Sequence, residues 1–340
     1  MIIDVHTHYL PEGCIVPTGD ETTEGAPYTV QYVAADTGNV RWTGQGKAAG
    51  FDLEQLHDLT RRRADMERQG VDVQVLSVPP PFGFTYTLEP TTSHTICQFL
   101  NDALGTAAAR DPAHFLALAT LPLQSPERSV AELDRAVTDL GMDGVAIGTH
   151  VGEWNLDHPA LLPFFERLEQ LDVPLFIHST VAMGGERVGR YHLKNLIGNP
   201  TEDAVAVASL IFGGVLDNFP ALKVFMAHGG GSSPFLLGRW DRGWQVRPEA
   251  RGVSKPPSQY FSQLWFDSLT HSPAALEYLV QVAGPQRVVL GTDYPYDMCQ
   301  PDPTGSLIAA PGLSDSTRQM VGGANAASLF SLGGRTEAAG

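Results

Sequence analysis

Short apolar runs that alternate with segments of helical spacing constrain this chain more than any other feature. The runs lie at Ile2–Val5, Val71–Val78, Phe115–Ala119, Gly144–Ile147, Val173–Ile177, Leu222–Ala227, Leu264–Phe266 and Arg287–Leu290. Between them, apolar residues recur with a helical period over Leu53–Gln69, Ser93–Ala109, Pro126–Leu140, Pro159–Leu171, Asp203–Leu216 and Pro273–Ala283. Strands that are apolar on both faces must be covered on both, which predicts a parallel sheet with helices outside it. Eight of them in 340 residues predict an α/β chain folded as a (β/α)8 barrel rather than an open doubly wound sheet. No Gly-x-Gly-x-x-Gly follows the first run, which argues further against a dinucleotide fold.

One barrel domain over residues 1–340 accounts for the pattern, with one interruption. Residues 11–50 are polar and rich in Gly and Thr, and their Tyr28–Val33 and Asn39–Trp42 pieces alternate like a hairpin. This insertion is expected to cap the barrel mouth. Ser314–Leu332 reads as one or two closing helices.

The first run leads into His6-Thr7-His8, preceded by Asp4. Alternate side chains of a strand share a face, so His6 and His8 point the same way and can grip one ion. Three more polar residues end apolar runs: His178 after Phe176-Ile177, His228 after Val224–Ala227, and Asp293 after Val288–Thr292. In (β/α)8 barrels, chemistry sits at the C-terminal ends of strands. Imidazoles with one carboxylate suit Zn²⁺ best, and Mn²⁺, Fe²⁺ and Co²⁺ accept similar shells. The residues alone leave open which of the five hold the ion. A second metal would call for a bridging lysine on the fourth strand, and Asp143–His150 contains none, so one divalent metal is expected.

Composition excludes several function classes. With 22 basic against 38 acidic residues the net charge is −16, and the longest basic run is Arg61-Arg62-Arg63, so nucleic acid is not an expected partner. That run reads as a solvated helix face. No apolar run approaches the roughly 20 residues needed to cross a bilayer, and no signal-peptide pattern opens the chain. Cys14, Cys97 and Cys299 are odd in number and widely spaced, which fits a reducing compartment; cytoplasmic residence is expected. An anionic substrate would need local positive charge from a metal or an arginine.

Further blocks of sequence point to a family. His6-x-His8, the strand-terminal His178 and His228, and Asp293 occur with Gly70–Val75, Ile147–Trp154, Ala227-His228-Gly229-Gly230-Gly231, Gly238-Arg239 and Gly291-Thr292-Asp293-Tyr294-Pro295. Together they resemble the amidohydrolase superfamily and, within its decarboxylase branch, the 2-amino-3-carboxymuconate-6-semialdehyde decarboxylases. The resemblance covers nearly the whole chain. It implies that His6, His8, His178 and Asp293 hold a zinc ion while His228 stands beside it as acid/base. It also implies that Arg239 binds a substrate carboxylate in a neighbouring subunit, which requires a homodimer.

Two departures bear on substrate. Gly50 and Phe51 occupy the place of an aromatic-arginine pair, removing one carboxylate clamp that Arg41 or Lys47 could replace. His178 is followed by Ser179-Thr180-Val181 instead of Pro-Trp-Asp, which removes an aromatic wall. The expected activity is a metal-dependent, non-oxidative decarboxylation of a small unsaturated or aromatic carboxylic acid. The proton for the carbon that loses CO2 comes from His228, from a metal-bound water or from Asp293. The alternative is a zinc-dependent hydrolase or hydratase acting on a lactone, an amide or a conjugated acid.

Overall fold

The computed structural model describes residues 1–17, 26–33, 41–48, 52–180 and 183–334. Eight parallel strands follow one another around a ring: β1 (Ile3–His8), β2 (Val73–Ser77), β3 (Phe115–Ala119), β4 (Gly144–Gly148), β5 (Leu175–His178), β6 (Val224–Met226), β7 (Trp265–Asp267) and β8 (Val288–Val289). The ring closes just past β8. Val5 donates its N–H to the Leu290 carbonyl at 2.9 Å, Asp293 to that of His6 at 2.8 Å, and His8 to that of Tyr294 at 2.8 Å. The fold is therefore the (β/α)8 barrel that the alternation of runs predicts.

Every residue of β1 to β5 is buried, as strands covered on both faces require. The barrel interior is packed under the strand ends. Phe176 stands two residues before His178 and so faces the same way; its ring lies 5.0 Å from that of His6 and stacks on Phe225 at 4.6 Å. This apolar floor keeps the histidines above it at the mouth.

The outer helices begin and end on identifiable signals. Helix α1 (Leu59–Gln69) starts at Asp58, whose carboxylate accepts from the Thr60 and Arg61 amides, and stops at Gly70 with φ 68°. The periodic stretch from Leu53 is thus split, leaving Glu54–His57 as a separate turn. Helix α2 (Pro90–Arg110) is capped by Glu89, α3 (Pro126–Asp134) runs on into a π turn, and α4 (Leu162–Leu171) ends on a left-handed Asp172. After them come α5 (Asn199–Phe212), α6 (Ser233–Val246) and α7 (Pro273–Ala283). Helix α6 has no clear periodic signature, because Gly238 and Gly243 interrupt it and only Ser233, Pro234 and Leu237 are buried. The chain closes with Asp315–Gln319 and Asn325–Leu329, joined through a π turn.

One expectation needs correction. The basic run on α1 is not a solvated face, because Arg62 is fully buried between its two partly exposed neighbours. The insertion holds the expected hairpin, Ala26–Val33 against Arg41–Ala48 with Val33 opposite Arg41, and Ile15–Pro17 joins it as a third antiparallel strand. Asn39, Val40, Gly50 and Phe51 lie outside the described residues. Among the described residues no helix is long and apolar enough to cross a membrane.

Candidate metal centre and active site

Four strand ends deliver one cluster. His6 and His8 project from β1, His178 ends β5, and Asp293 stands four residues past β8; one ligand atom from each lies within 4.8 Å of the others, and all four are buried. The rings of His6 and His8 are 5.2 Å apart, and each is about as close to His178. Asp293 and His228 hold φ of 65° and 54°, a left-handed backbone that residues with side chains seldom adopt. In both cases the turn after a strand aims the side chain back over the barrel axis.

Partners behind the cluster fix its orientation. His6 donates from Nδ1 to Asp267 Oδ2 at 2.6 Å, and the other oxygen of Asp267 accepts from the Gly229 amide at 2.8 Å. His178 donates from Nδ1 to the Ser179 carbonyl at 2.7 Å. Both imidazoles therefore turn Nε2 toward the centre, and both Nε2 atoms are buried without a hydrogen-bond partner. His8 Nε2 lies 2.9 Å from Asp293 Oδ1, which is also 3.3 Å from His6 Nε2. Buried and convergent, with two of the nitrogens unsatisfied, these four groups fit a divalent cation. Asp267 supplies the carboxylate that commonly orients a ligating histidine.

Electrostatics agree with that fit. Burial pushes His6 down, but the carboxylates of Asp293 and Asp267 outweigh it and lift its pKa to about 10. The site draws positive charge to this point. Burial lowers His8 to about 4 against the pull of Asp293, and burial together with its histidine neighbours holds His178 well below the usual range. Asp293 is buried too, yet His6 and His8 keep it well below the ordinary carboxylate range.

His228 stands beside the cluster, its ring 4.8 Å from that of His178. Its Nδ1 lies 2.8 Å from Asp203 Oδ2 on α5. Burial lowers the imidazole, but the Asp203 carboxylate more than compensates and raises it, while burial raises Asp203. With Nδ1 engaged, Nε2 is the atom left to meet a substrate. Above the cluster lies a cavity of roughly 450 Å³ whose walls include Thr180, His192, Asn195, Asn199 and Tyr296. A second lobe of roughly 320 Å³, walled by Leu196, Phe235, Leu269 and Leu279, shares His228 and Asp293 with it.

Glycines close the arrangement at two points. A Cβ on Gly291 would meet Asp267 Cβ at 2.7 Å and His6 Cβ at 2.9 Å, so this residue lets β8 pass close behind the His6–Asp267 pair. Gly231, at φ 61°, lies against the Pro200 carbonyl, which makes the triple glycine after His228 a tight turn packed on protein. Asp4, which burial raises to about 7, accepts from both the amide and the hydroxyl of Thr292 and so ties β1 to the segment that carries Asp293.

The structure thus gathers His6, His8, His178, Asp293 and His228, and leaves Arg239 apart, exposed on α6. Sequence reasoning missed Asp203 and Asp267. Asp267 ends an apolar run, the same signal that marks the ligands; Asp203 lies inside a helical pattern and carries none.

A family model described as amidohydrolase matches residues 3–332. The chain belongs to the amidohydrolase family. It is 39% identical over 273 residues to a 2-amino-3-carboxymuconate-6-semialdehyde decarboxylase of Dictyostelium discoideum, covering 80% of this chain and 76% of that protein. The 5-carboxyvanillate decarboxylase of Sphingomonas paucimobilis superposes with a TM-score of 0.75 at 30% identity, over 82% of this chain and 85% of that one. A 5-carboxyvanillate decarboxylase of Novosphingobium aromaticivorans, solved with manganese and 3-methoxy-4-hydroxy-5-nitrobenzoic acid, superposes at 0.76 and 27% identity, over 82% and 83%. This amidohydrolase is an enzyme, a metal-dependent decarboxylase of the superfamily.

Proposed function

We propose that this amidohydrolase removes CO2, without redox chemistry, from a small aromatic or unsaturated carboxylic acid seated over His6, His8, His178 and Asp293. The observation that carries the reading is that cluster, open to a cavity and flanked by the His228–Asp203 pair. One ion per chain would be held by three imidazole nitrogens and one carboxylate oxygen. That donor set suits zinc, and the manganese of the Novosphingobium relative makes Mn²⁺ the other candidate. Such an ion polarises a bound oxygen and acidifies bound water.

The chain's own groups supply the rest. Cleavage of the carbon–carboxylate bond leaves an electron pair on the substrate carbon, and that carbon must take a proton. Asp293, held anionic by His6 and His8, is a poor source. His228, whose pKa the Asp203 carboxylate raises and whose Nδ1 that carboxylate engages, is the group placed to deliver the proton, from Nε2. Arg239 lines neither lobe of its own chain, so we assign it to the mouth of a neighbouring subunit in a homodimer, where its fork would grip a substrate carboxylate. We assign the described strands of the insertion, Ile15–Pro17, Ala26–Val33 and Arg41–Ala48, to a cap over the mouth of one barrel domain, and the three free cysteines fit a cytoplasmic enzyme.

The test is CO2 release by enzyme loaded with Zn²⁺ or Mn²⁺ on muconates, hydroxybenzoates and heterocyclic acids. Stoichiometric CO2 with the ring or chain carbons retained is the expected result. A product of water addition, with the carboxylate intact, would overturn it.

A further inference from the structure

The basic run on α1 has a use that its sequence does not suggest. Arg62 is the largest fully buried side chain of the described residues, and it reaches the back of the metal centre. One terminal nitrogen donates to the backbone carbonyl of His8 and, at 2.9 Å, to that of Gln55; the other donates to Gln74 Oε1 on β2 at 3.1 Å. Its guanidinium lies over the ring of Tyr294, 4.8 Å from the centroid. Tyr294 directly follows Asp293, and its hydroxyl donates to Asp65 at 2.6 Å, an oxygen that Gln55 also holds at 2.7 Å. His8 in turn donates its backbone N–H to the Tyr294 carbonyl.

Arg62 makes no direct salt bridge among the described residues, so its buried charge is compensated by carbonyl oxygens and a π face. That arrangement is costly for a residue whose only task is to fill space. Its contacts converge on two segments that lie 285 residues apart and carry His8 and Asp293, whose side chains meet at 2.9 Å.

We infer that Arg62 is a positioning residue of the metal centre, clamping the end of β1 to the Asp293 turn so that His8 and Asp293 meet the same ion. The inference rests on the metal reading given above. Partners behind metal ligands typically contribute 10–100-fold in metal affinity.

The experiment measures Mn²⁺ and Zn²⁺ affinity of metal-stripped wild type, Arg62→Met, Arg62→Lys and Tyr294→Phe by competition with a chelating dye. Melting temperature and kcat and KM are recorded alongside. Arg62→Met should weaken metal binding by about 10-fold or more. Arg62→Lys, a point charge without the planar fork, should recover only part of that, and Tyr294→Phe should weaken binding by a smaller factor. With metal saturating, kcat should return toward wild type while KM stays near its original value. Equal metal affinity in wild type, Arg62→Met and Tyr294→Phe, with only the melting temperature lowered, would overturn the inference. Should Arg62→Met fail to fold, Tyr294→Phe and Arg62→Lys decide it alone. Wild type that binds neither ion would instead refute the metal reading itself.

Discussion

Each ligand has a different structural reason to be where it is, and substitutions separate their roles. His6→Ala and His8→Ala each remove a buried donor from a four-ligand set, so both should lose bound metal and turnover together. Elemental analysis of the purified variants checks this, and full metal in both would show that the N-terminal pair is not the ligand pair. His228→Ala should retain metal yet turn over about 10² to 10⁴ times more slowly, as loss of a general acid does. Asp203→Asn should slow turnover too while leaving metal content unchanged, because the carboxylate that holds His228 acts behind the imidazole and touches no ligand. Normal rates in either variant would remove the pair from the chemistry.

Elements rather than single residues decide how closely the parts approach. The bend after β8 brings Gly291 against both His6 and Asp267, so Gly291→Ala must push the pair apart. Overpacking of this kind costs about 1–3 kcal/mol, and the variant should melt several degrees lower and hold metal less tightly. Unchanged melting and metal content would show that the segment yields freely. Helix α6 carries the other test. If Arg239 serves a neighbouring mouth, mixing inactive Arg239→Ala and His228→Ala should restore activity through hybrid dimers, verified by mass-tagged subunits. Hybrids without activity would return Arg239 to its own chain. The strands and the five converging residues were legible because buried strands read as apolar runs and ligands end them. Helix α6 was not, since its glycines and thin buried stripe dilute the period. Arg62 was misread because a basic triplet looks solvated until β1 and Tyr294 are folded against it. Asp203 was hidden because a helix offers no marker for a residue that points at a strand end elsewhere.

At the scale of the whole molecule, the fold buries two of its three thiols, Cys14 and Cys97. Burial raises Cys14 and Cys97 to about 12, so both stay protonated and unreactive in the native protein. The unfolded chain loses those protons near pH 9, so the folded state is favoured fully below that pH and loses about 1.4 kcal/mol per thiol for each unit toward 12. Slow labelling of Cys14 and Cys97 at pH 8 that becomes rapid in urea, with urea midpoints falling above pH 9, is the expected pattern. Rapid native labelling of Cys97 would contradict the burial. In the function we propose, one ion held by His6, His8, His178 and Asp293 makes this barrel a decarboxylase. Its most direct test titrates metal-stripped enzyme with Zn²⁺ or Mn²⁺ while CO2 release from a hydroxybenzoate and carboxymuconate panel is followed. Activity should rise linearly and stop at one equivalent per chain. Full CO2 release without metal, or a break at two equivalents, would contradict it.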